Sequence, residues 1–277
     1  MRERVVNDIT MWIEECIRLN RKITIKMVAR KSGYSLRHIH NIFKQEVATT
    51  IGNYIRLRRI TYAALLVKFT KKSIFDIAID LNYGSQQTFC RAFSETFKCN
   101  PLKYRKRSYI DTSELYPPYQ GRITHLQFEE EETSIQLRAK EFKFEENIIG
   151  ECEVSSNLLK LEKIMAVLNC HSFSYIASDY LKLNSYESVV GVKSFVGFRE
   201  DRRSGADFYI KKSKYATICF QGYWCEYIIF KRNLYVNSSF KRVDGFDVEV
   251  FSLLPNNMNS DIKPDVKIFV PILGSCK

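Results

Sequence analysis

Along the first third of the chain, apolar residues return every three or four positions: Val5, Ile9, Trp12, Ile13 and Ile17, then Tyr54, Leu57, Ile60, Ala64 and Leu65. That spacing lines one stripe of a helix. Gly33, Gly52 and Gly84 fall between such stretches, and the one proline before residue 117 is Pro101, so the region reads as helix after helix. Further on the texture changes to short β-rich runs: Val189–Val192, Phe208–Ile210, Tyr215–Phe220, Val248–Phe251 and Lys267–Ile272. Two helical stretches interrupt them, near 157–168 and 224–236, which predicts an α+β domain. Between the two textures, Ser108–Arg122 holds Pro117, Pro118 and Gly121 and cannot continue a helix. The pattern therefore predicts an all-α domain over 1–108, a linker over 109–121 and an α+β domain over 122–277. The acidic run Glu129–Glu132 reads as a solvated loop.

The helical third repeats itself at a period of about 50 residues. Ile39 corresponds to Phe89, Phe43 to Phe93 and Tyr54 to Tyr104, with Ala29 and Tyr34 matching Ala78 and Tyr83 upstream. Each copy has the parts of a helix-turn-helix. In the first, Ile25–Ser32 supplies a helix, Gly33 a turn that can take positive φ, and Ser35 a cap for a second helix over about 36–46. With Ile39, Ile42 and Phe43 buried, that helix presents Arg37, His40, Asn41 and Lys44. In the second copy, Ile74–Gly84 leads to Ser85 and a helix over about 86–97, which buries Phe89, Phe93 and Phe97 and presents Gln86, Gln87 and Arg91. Such donors suit base edges in a major groove, Gln toward adenine and Arg toward guanine.

Charge sharpens this picture. Residues 1–110 hold 22 Lys/Arg against 8 Asp/Glu, a net of 22 − 8 = +14, and residues 111–277 hold 21 against 23, a net of −2, together the +12 of the chain. A basic domain joined to a near-neutral one fits a nucleic-acid binder with a separate regulatory module. Composition excludes little else but is informative in the negative. No apolar run reaches the ~20 residues of a membrane span, and the start lacks a signal-peptide core, so a cytoplasmic protein without membrane association is expected. The eight cysteines form no Cys-x-x-Cys pair and no metal-ligand spacing with histidine. They read as reduced thiols; no metal and no cofactor is expected. No Ser/His/Asp grouping or nucleotide loop points to an enzyme, and His125 and His171 stand alone.

Gly33-Tyr-Ser35, Phe43-Lys44, Tyr54-Ile-Arg56, Arg58-Arg59, Ser85–Phe89, Arg91-x-Phe93 and Pro101-x-x-Tyr-Arg105 together resemble the AraC/XylS family of transcriptional regulators, and within it the MarA/SoxS/Rob group. The likeness spans residues ~5–107 almost without gaps. It implies two helix-turn-helix subdomains joined by a long helix, here about 50–69, which would set the recognition helices in successive major grooves about 34 Å apart. Gln86, Gln87 and Arg91 keep the group's base-contacting pattern. The first recognition helix departs from it, since the group has Trp, Gln and Arg where this chain has Arg37, His40 and Asn41.

Having the DNA-binding unit first, with a second domain after it, is a Rob-like order. Over 208–272 the second domain is similar to the GyrI-like fold, which implies a duplicated β-α-β-β arrangement with a cleft suited to a small amphipathic ligand. Tyr209, Phe220 and Trp224 are candidate aromatic walls, and Glu249 and Lys267 candidate polar contacts; Tyr223 and Phe269 are further aromatics near them. Many such domains place a Glu where this chain has Lys267, so Lys267 is expected either to pair with Glu249 or to meet an anionic ligand, with a solvent-facing lysine as the simple alternative. The resemblance implies a sequence-specific activator with double-stranded DNA and RNA polymerase as partners and a C-terminal domain for small-molecule sensing or partner contact. An architectural or origin-binding DNA protein without ligand response is the alternative.

Overall fold

The computed structural model describes residues 2–119, 126–148, 154–183, 188–200, 205–253 and 262–274. Its first part is α1 (Arg2–Arg18), α2 (Ile25–Ser32), α3 (Leu36–Val47), α4 (Ile51–Phe69), α5 (Ile74–Asp80), α6 (Gln86–Phe97) and α7 (Pro101–Arg105). The sequence repeat is a repeat of helix boundaries. Thr24, Ser35 and Thr50 cap α2, α3 and α4 with their side-chain oxygens, and about 50 residues later Ser73, Ser85 and Asn100 do the same for α5, α6 and α7. Each such cap satisfies a backbone N–H that the first turn leaves free and is worth ~1 kcal/mol. The turns differ between the copies. Gly33 closes α2 at φ 70° as expected, whereas the second turn takes its positive φ at Asn82 (58°), not at Gly84. Asparagine tolerates that region because its short polar side chain bonds locally, and here Asn82 Nδ2 donates to the Asn20 carbonyl at 2.9 Å, tying α1's end to the second turn.

Both copies bury an aromatic hinge. Phe43 meets Tyr54 edge-on at 5.6 Å, and Phe93 meets Tyr104 at 5.3 Å, with Phe89 and Phe97 on either side of Phe93. The two copies share α4, whose buried Arg58 is clasped by Glu14 of α1: Nε to Oε1 at 2.8 Å and Nη2 to Oε2 at 2.9 Å. Tyr54 and Tyr62 donate to the same carboxylate.

The chain after α7 departs from the linker expected over 109–121. Tyr109–Asp111 forms β1, a single 3-10 turn follows over Thr112–Glu114, and Leu115 and Tyr119 pack into the helical core. Tyr116 N–H donates to Thr61 Oγ1 at 2.9 Å and its carbonyl accepts from Arg58. The helix already ends at Arg105, and the stretch that carries Pro117 and Pro118 lies as an extended strap along α4, where its backbone groups find partners.

The second part follows the duplicated β-α-β-β order expected of a GyrI-like domain. One unit is β2 (Glu129–Asn147), α8 (Val154–Leu168), β3 (Ser174–Leu181) and β4 (Val189–Arg199). The other is β5 (Phe208–Gln221), α9 (Trp224–Asn233), β7 (Asp247–Leu253) and β8 (Pro264–Pro271), with β6 (Lys241–Val243) inserted before β7. The six long strands close a barrel in the order β2-β4-β3-β7-β8-β5, all neighbours antiparallel, while β6 leaves it to pair with β1. Glu129–Glu132 is not a loop; it opens β2. Four carboxylates are tolerated in a strand because cross-strand cations face them, Lys212 on Glu132 at 3.3 Å and Lys267 on Glu131 at 2.9 Å.

Candidate functional site

On the recognition helices, burial separates an inner from an outer face. In α6, Phe89, Phe93 and Phe97 are buried, and Gln86, Gln87, Thr88, Arg91 and Glu95 are exposed. Arg91 is 85% exposed and holds Glu95 at 3.3 Å, one turn on. An exposed pair of this kind is worth a few tenths of a kcal/mol, so the guanidinium is easily released to another acceptor. In α3, Arg37, Asn41 and Lys44 are exposed as expected, but His40 is not. It lies on the edge shared with Phe43 and Val47, half-buried, with Nε2 shut away from solvent and without a hydrogen-bond partner. The outward imidazole is that of His38, whose ring sits 4.9 Å from Tyr34, and Leu36 and Gln45 share its exposed face. The repeat itself carried this signal: shifted by about 50 positions, Gln86, Gln87, Thr88, Arg91 and Glu95 fall on Leu36, Arg37, His38, Asn41 and Gln45.

The five candidate ligand residues of the barrel do not converge. Tyr209 is 52% exposed on β5, and Lys267 is exposed and bonded to Glu131. The expected Lys267–Glu249 pair does not form. In the β7–β8 ladder Glu249 faces Ile268 and Val250 faces Lys267, so the two side chains leave the sheet on opposite faces. Phe220 packs on Tyr227 and Phe230. Trp224 lines a cavity, and Glu249 lies directly behind that cavity's wall, bonded to Lys160 and Tyr227.

This cavity lies where α4 meets the barrel. Leu65 and Phe69 of α4 form one side; Glu146, Lys160, Tyr180, Trp224, Tyr227, Lys231 and Tyr235 are among the groups on the other. About 140 Å³ is open to the centres of water-sized spheres, roughly ten times what one water requires. Behind it runs a buried ionic network. Glu249 accepts from Lys160 at 2.6 Å, lies 3.0 Å from Lys231 and accepts from the Tyr227 hydroxyl. Burial pushes the Glu249 carboxyl up, but Lys160 and Lys231 outweigh it and hold it at about 2. Asp247 is clasped by Arg242 at 3.2 Å and also meets Lys231 and Tyr235. Arg242 lies over three rings, Phe69, Tyr180 and Tyr235, with centroid distances of 5.9, 5.5 and 5.6 Å. Sequence reading missed Lys160, Lys231 and Arg242, since each looks like an ordinary surface cation in its local stretch. Among the described residues no group of His, Cys, Asp or Glu could hold a metal ion, and no helix is long and apolar enough to cross a membrane.

A family model described as a helix-turn-helix domain matches residues 28–107. The regulatory protein SoxS of Escherichia coli K12 is 42% identical over 105 residues, a match taking in 38% of this chain and 96% of SoxS. The chain belongs to the AraC/XylS family. It is thus a DNA-binding transcriptional regulator, with the two capped recognition helices as the family's helix-turn-helix pair. The F1 operon positive regulatory protein of Yersinia pestis is 28% identical over 292 aligned positions, covering 98% of this chain and 89% of that one, so the likeness to a regulator continues through the barrel. The Escherichia coli regulator YkgA is 40% identical over 119 residues, 43% of this chain; the chain spans 49% of YkgA's length.

Proposed function

We propose that this regulator is a sequence-specific activator that reads two successive major grooves, α3 in one and α6 in the other, and that its barrel serves as a sensor of a small molecule. The reading rests on one observation above all: two outward polar faces recur one repeat apart in a domain of net charge +14. Residues 1–108 would carry the DNA-reading work and 122–277 the sensing, with 109–121 as the linker between them. Arg37, Asn41, Lys44, Gln86, Gln87 and Arg91 are the proposed DNA contacts. His40 stays in the set as a groove-edge residue that would have to turn outward, and His38 joins it. The name of the Yersinia relative supports activation, which requires RNA polymerase as a partner.

Replacing Arg91 or Gln87 by alanine is expected to cost ~1–3 kcal/mol on the cognate duplex and to relax preference at particular base pairs. Selection of bound sequences from a random pool, run for the parent and each variant, checks this. Equal losses on cognate and scrambled DNA would mean that these side chains position the protein without reading bases.

A further inference from the structure

A second cavity lies at the seam between the two helix-turn-helix units. One wall is the start of α2, with Thr24 and Ile25; another is the turn ahead of α6, with Asn82 and Tyr83; Arg56 and Arg59 of α4 stand between them. About 250 Å³ is open to the centres of water-sized spheres, many times what one water requires. Two guanidinium groups line this space, and among the described residues no carboxylate does. The two arginines differ in what holds them. Arg56 is exposed and rests on Asn53 Oδ1 of its own helix, through Nε at 3.3 Å and Nη2 at 3.1 Å. Arg59 is half-buried and meets no acceptor among the described residues: its Nη2 is shut away from solvent without a hydrogen-bond partner. Its electrostatic neighbours are the Tyr83 hydroxyl, itself buried and unpartnered, and the Cys16 thiol. Burial raises the pKa of both, so neither carries charge near neutral pH. An unpaired charge in such a place is costly, and a guanidinium cannot relieve the cost by losing its proton.

The place of the cavity says what could meet that charge. Recognition helices set in successive major grooves leave the minor groove between them, edged by two rows of phosphates, facing the seam of the two units. In a helix-turn-helix the first helix crosses the backbone while the second enters the groove. Here α2 is that first helix in one unit, and the turn at Asn82 and Tyr83 delivers α6 in the other. Exposed Arg21 and Lys31, which share the field at Cys16 with Arg59, make the surroundings more positive still.

We propose that the seam cavity seats a phosphate group between the Arg59 and Arg56 guanidiniums, and that in the DNA complex this group is a backbone phosphate lying between the two half-sites. The contact rests on the two-groove reading proposed above and gives it a fixed point. A guanidinium already stripped of water and held in place takes a phosphate with little further desolvation or ordering. Because both units line the cavity, the seated phosphate holds the two recognition helices in one register along the duplex. Arg59 and Arg56 thereby position the protein and read no base.

The full chain, R59Q and R59K would be titrated by anisotropy against a cognate duplex and against duplexes in which single phosphates between the half-sites are replaced by uncharged methylphosphonate. In the parent, one such position is expected to cost about tenfold or more in affinity, as the loss of a hydrogen bond to a charged group does. In R59Q the same replacement should cost almost nothing, because the partner is already gone. R59Q should also weaken cognate and scrambled duplexes alike, flatten the salt slope by about one and keep the parent's base preference. Without DNA it should melt no lower than the parent. R59K keeps the charge and loses the planar fork, so its methylphosphonate loss should be intermediate; it carries the comparison should R59Q not fold. Melting in inorganic phosphate against chloride at equal ionic strength separates the two sources of the group. A phosphate-dependent rise that R59Q abolishes, without any position-specific methylphosphonate loss, assigns the cavity to a free anion and overturns the backbone contact. Methylphosphonate profiles that are the same in parent and R59Q, with no effect of inorganic phosphate, overturn the phosphate site while the two-groove reading stands. A footprint confined to one major groove sinks that reading, and the backbone contact with it.

Discussion

Raising the salt concentration from about 50 to about 200 mM is expected to weaken binding to a cognate duplex by roughly a thousandfold. The cause is counterion release. Each phosphate neutralised by a lysine or arginine frees condensed cations, and the logarithm of affinity falls with the logarithm of salt at about −0.9 per contact. Residues 1–110 have the surplus to make six to ten such contacts, on the order of what a two-groove footprint needs, with 22 cations against 8 anions. The buried cations will not count, because Arg58 is held by Glu14 and Lys72 by Asp80. Exposed ones such as Arg21, Lys22, Lys26, Arg30, Lys31 and Lys44 will. Anisotropy titrations at four or five salt concentrations measure the slope directly. A value near zero would sink the DNA-reading role of this domain. The slope also sorts contacts by kind: Lys44→Ala should flatten it by about one and leave base preference alone, whereas Gln87→Ala should leave it unchanged and shift base preference.

The helical domain was legible in the sequence because two signals of different origin coincide there. Helical periodicity places Phe89, Phe93 and Phe97 on one stripe, and the repeat matches Ile39 to Phe89 and Phe43 to Phe93. Ser35 and Ser85, read as caps, then mark the observed starts of α3 and α6, while the start of α4 followed from the family resemblance. His40 was misplaced because an i, i+4 pattern of polar residues does not say which edge of the stripe is covered, and in the fold that edge is half-buried with Nε2 shut away from solvent.

The barrel was legible as a class but not in its pairings. Strands β7 and β8 announce themselves as β-rich runs, yet their register does not, and a shift of one residue exchanges the faces of every side chain. That is why Glu249 and Lys267 looked like partners and are not. The opening of β2 was hidden because its carboxylates are neutralised from β5 and β8, strands far along the chain. Glu146 carried no local sign at all. In the stretch Phe144-Glu-Glu-Asn147 it reads as one more solvated acid, and the packing of α4, α8 and α9 places it on a cavity wall.

Truncating Glu249 should be among the most destabilising single changes in the barrel. The carboxylate is 1% exposed and is shared by Lys160, Lys231 and the Tyr227 hydroxyl. Removing it in E249A leaves the Lys160 ammonium without its partner in a buried site and Lys231 with Asp247 alone, a loss expected at ~3–5 kcal/mol and a drop in melting temperature of roughly 10 °C or more. The burden lies in the Lys160 charge left without a partner, not in the attraction forgone. A double variant with Glu249→Leu and Lys160→Met should therefore recover part of the loss, since apolar groups of similar volume can replace a buried pair at little cost. Acid gives an independent reading. The Glu249 carboxyl sits at about 2 against an ordinary 4.5, so its charged form is favoured by folding. The stability it contributes, on the order of 3 kcal/mol, is present above about pH 4.5 and is lost as the pH falls toward 2. Melting curves recorded between pH 6 and 2.5 should show that decline in the parent and a shallower one in E249Q, which has no proton to take up at this position. If E249Q and the parent decline in parallel, other carboxylates govern the acid response and the Lys160–Glu249–Lys231 cluster contributes little to the barrel's stability.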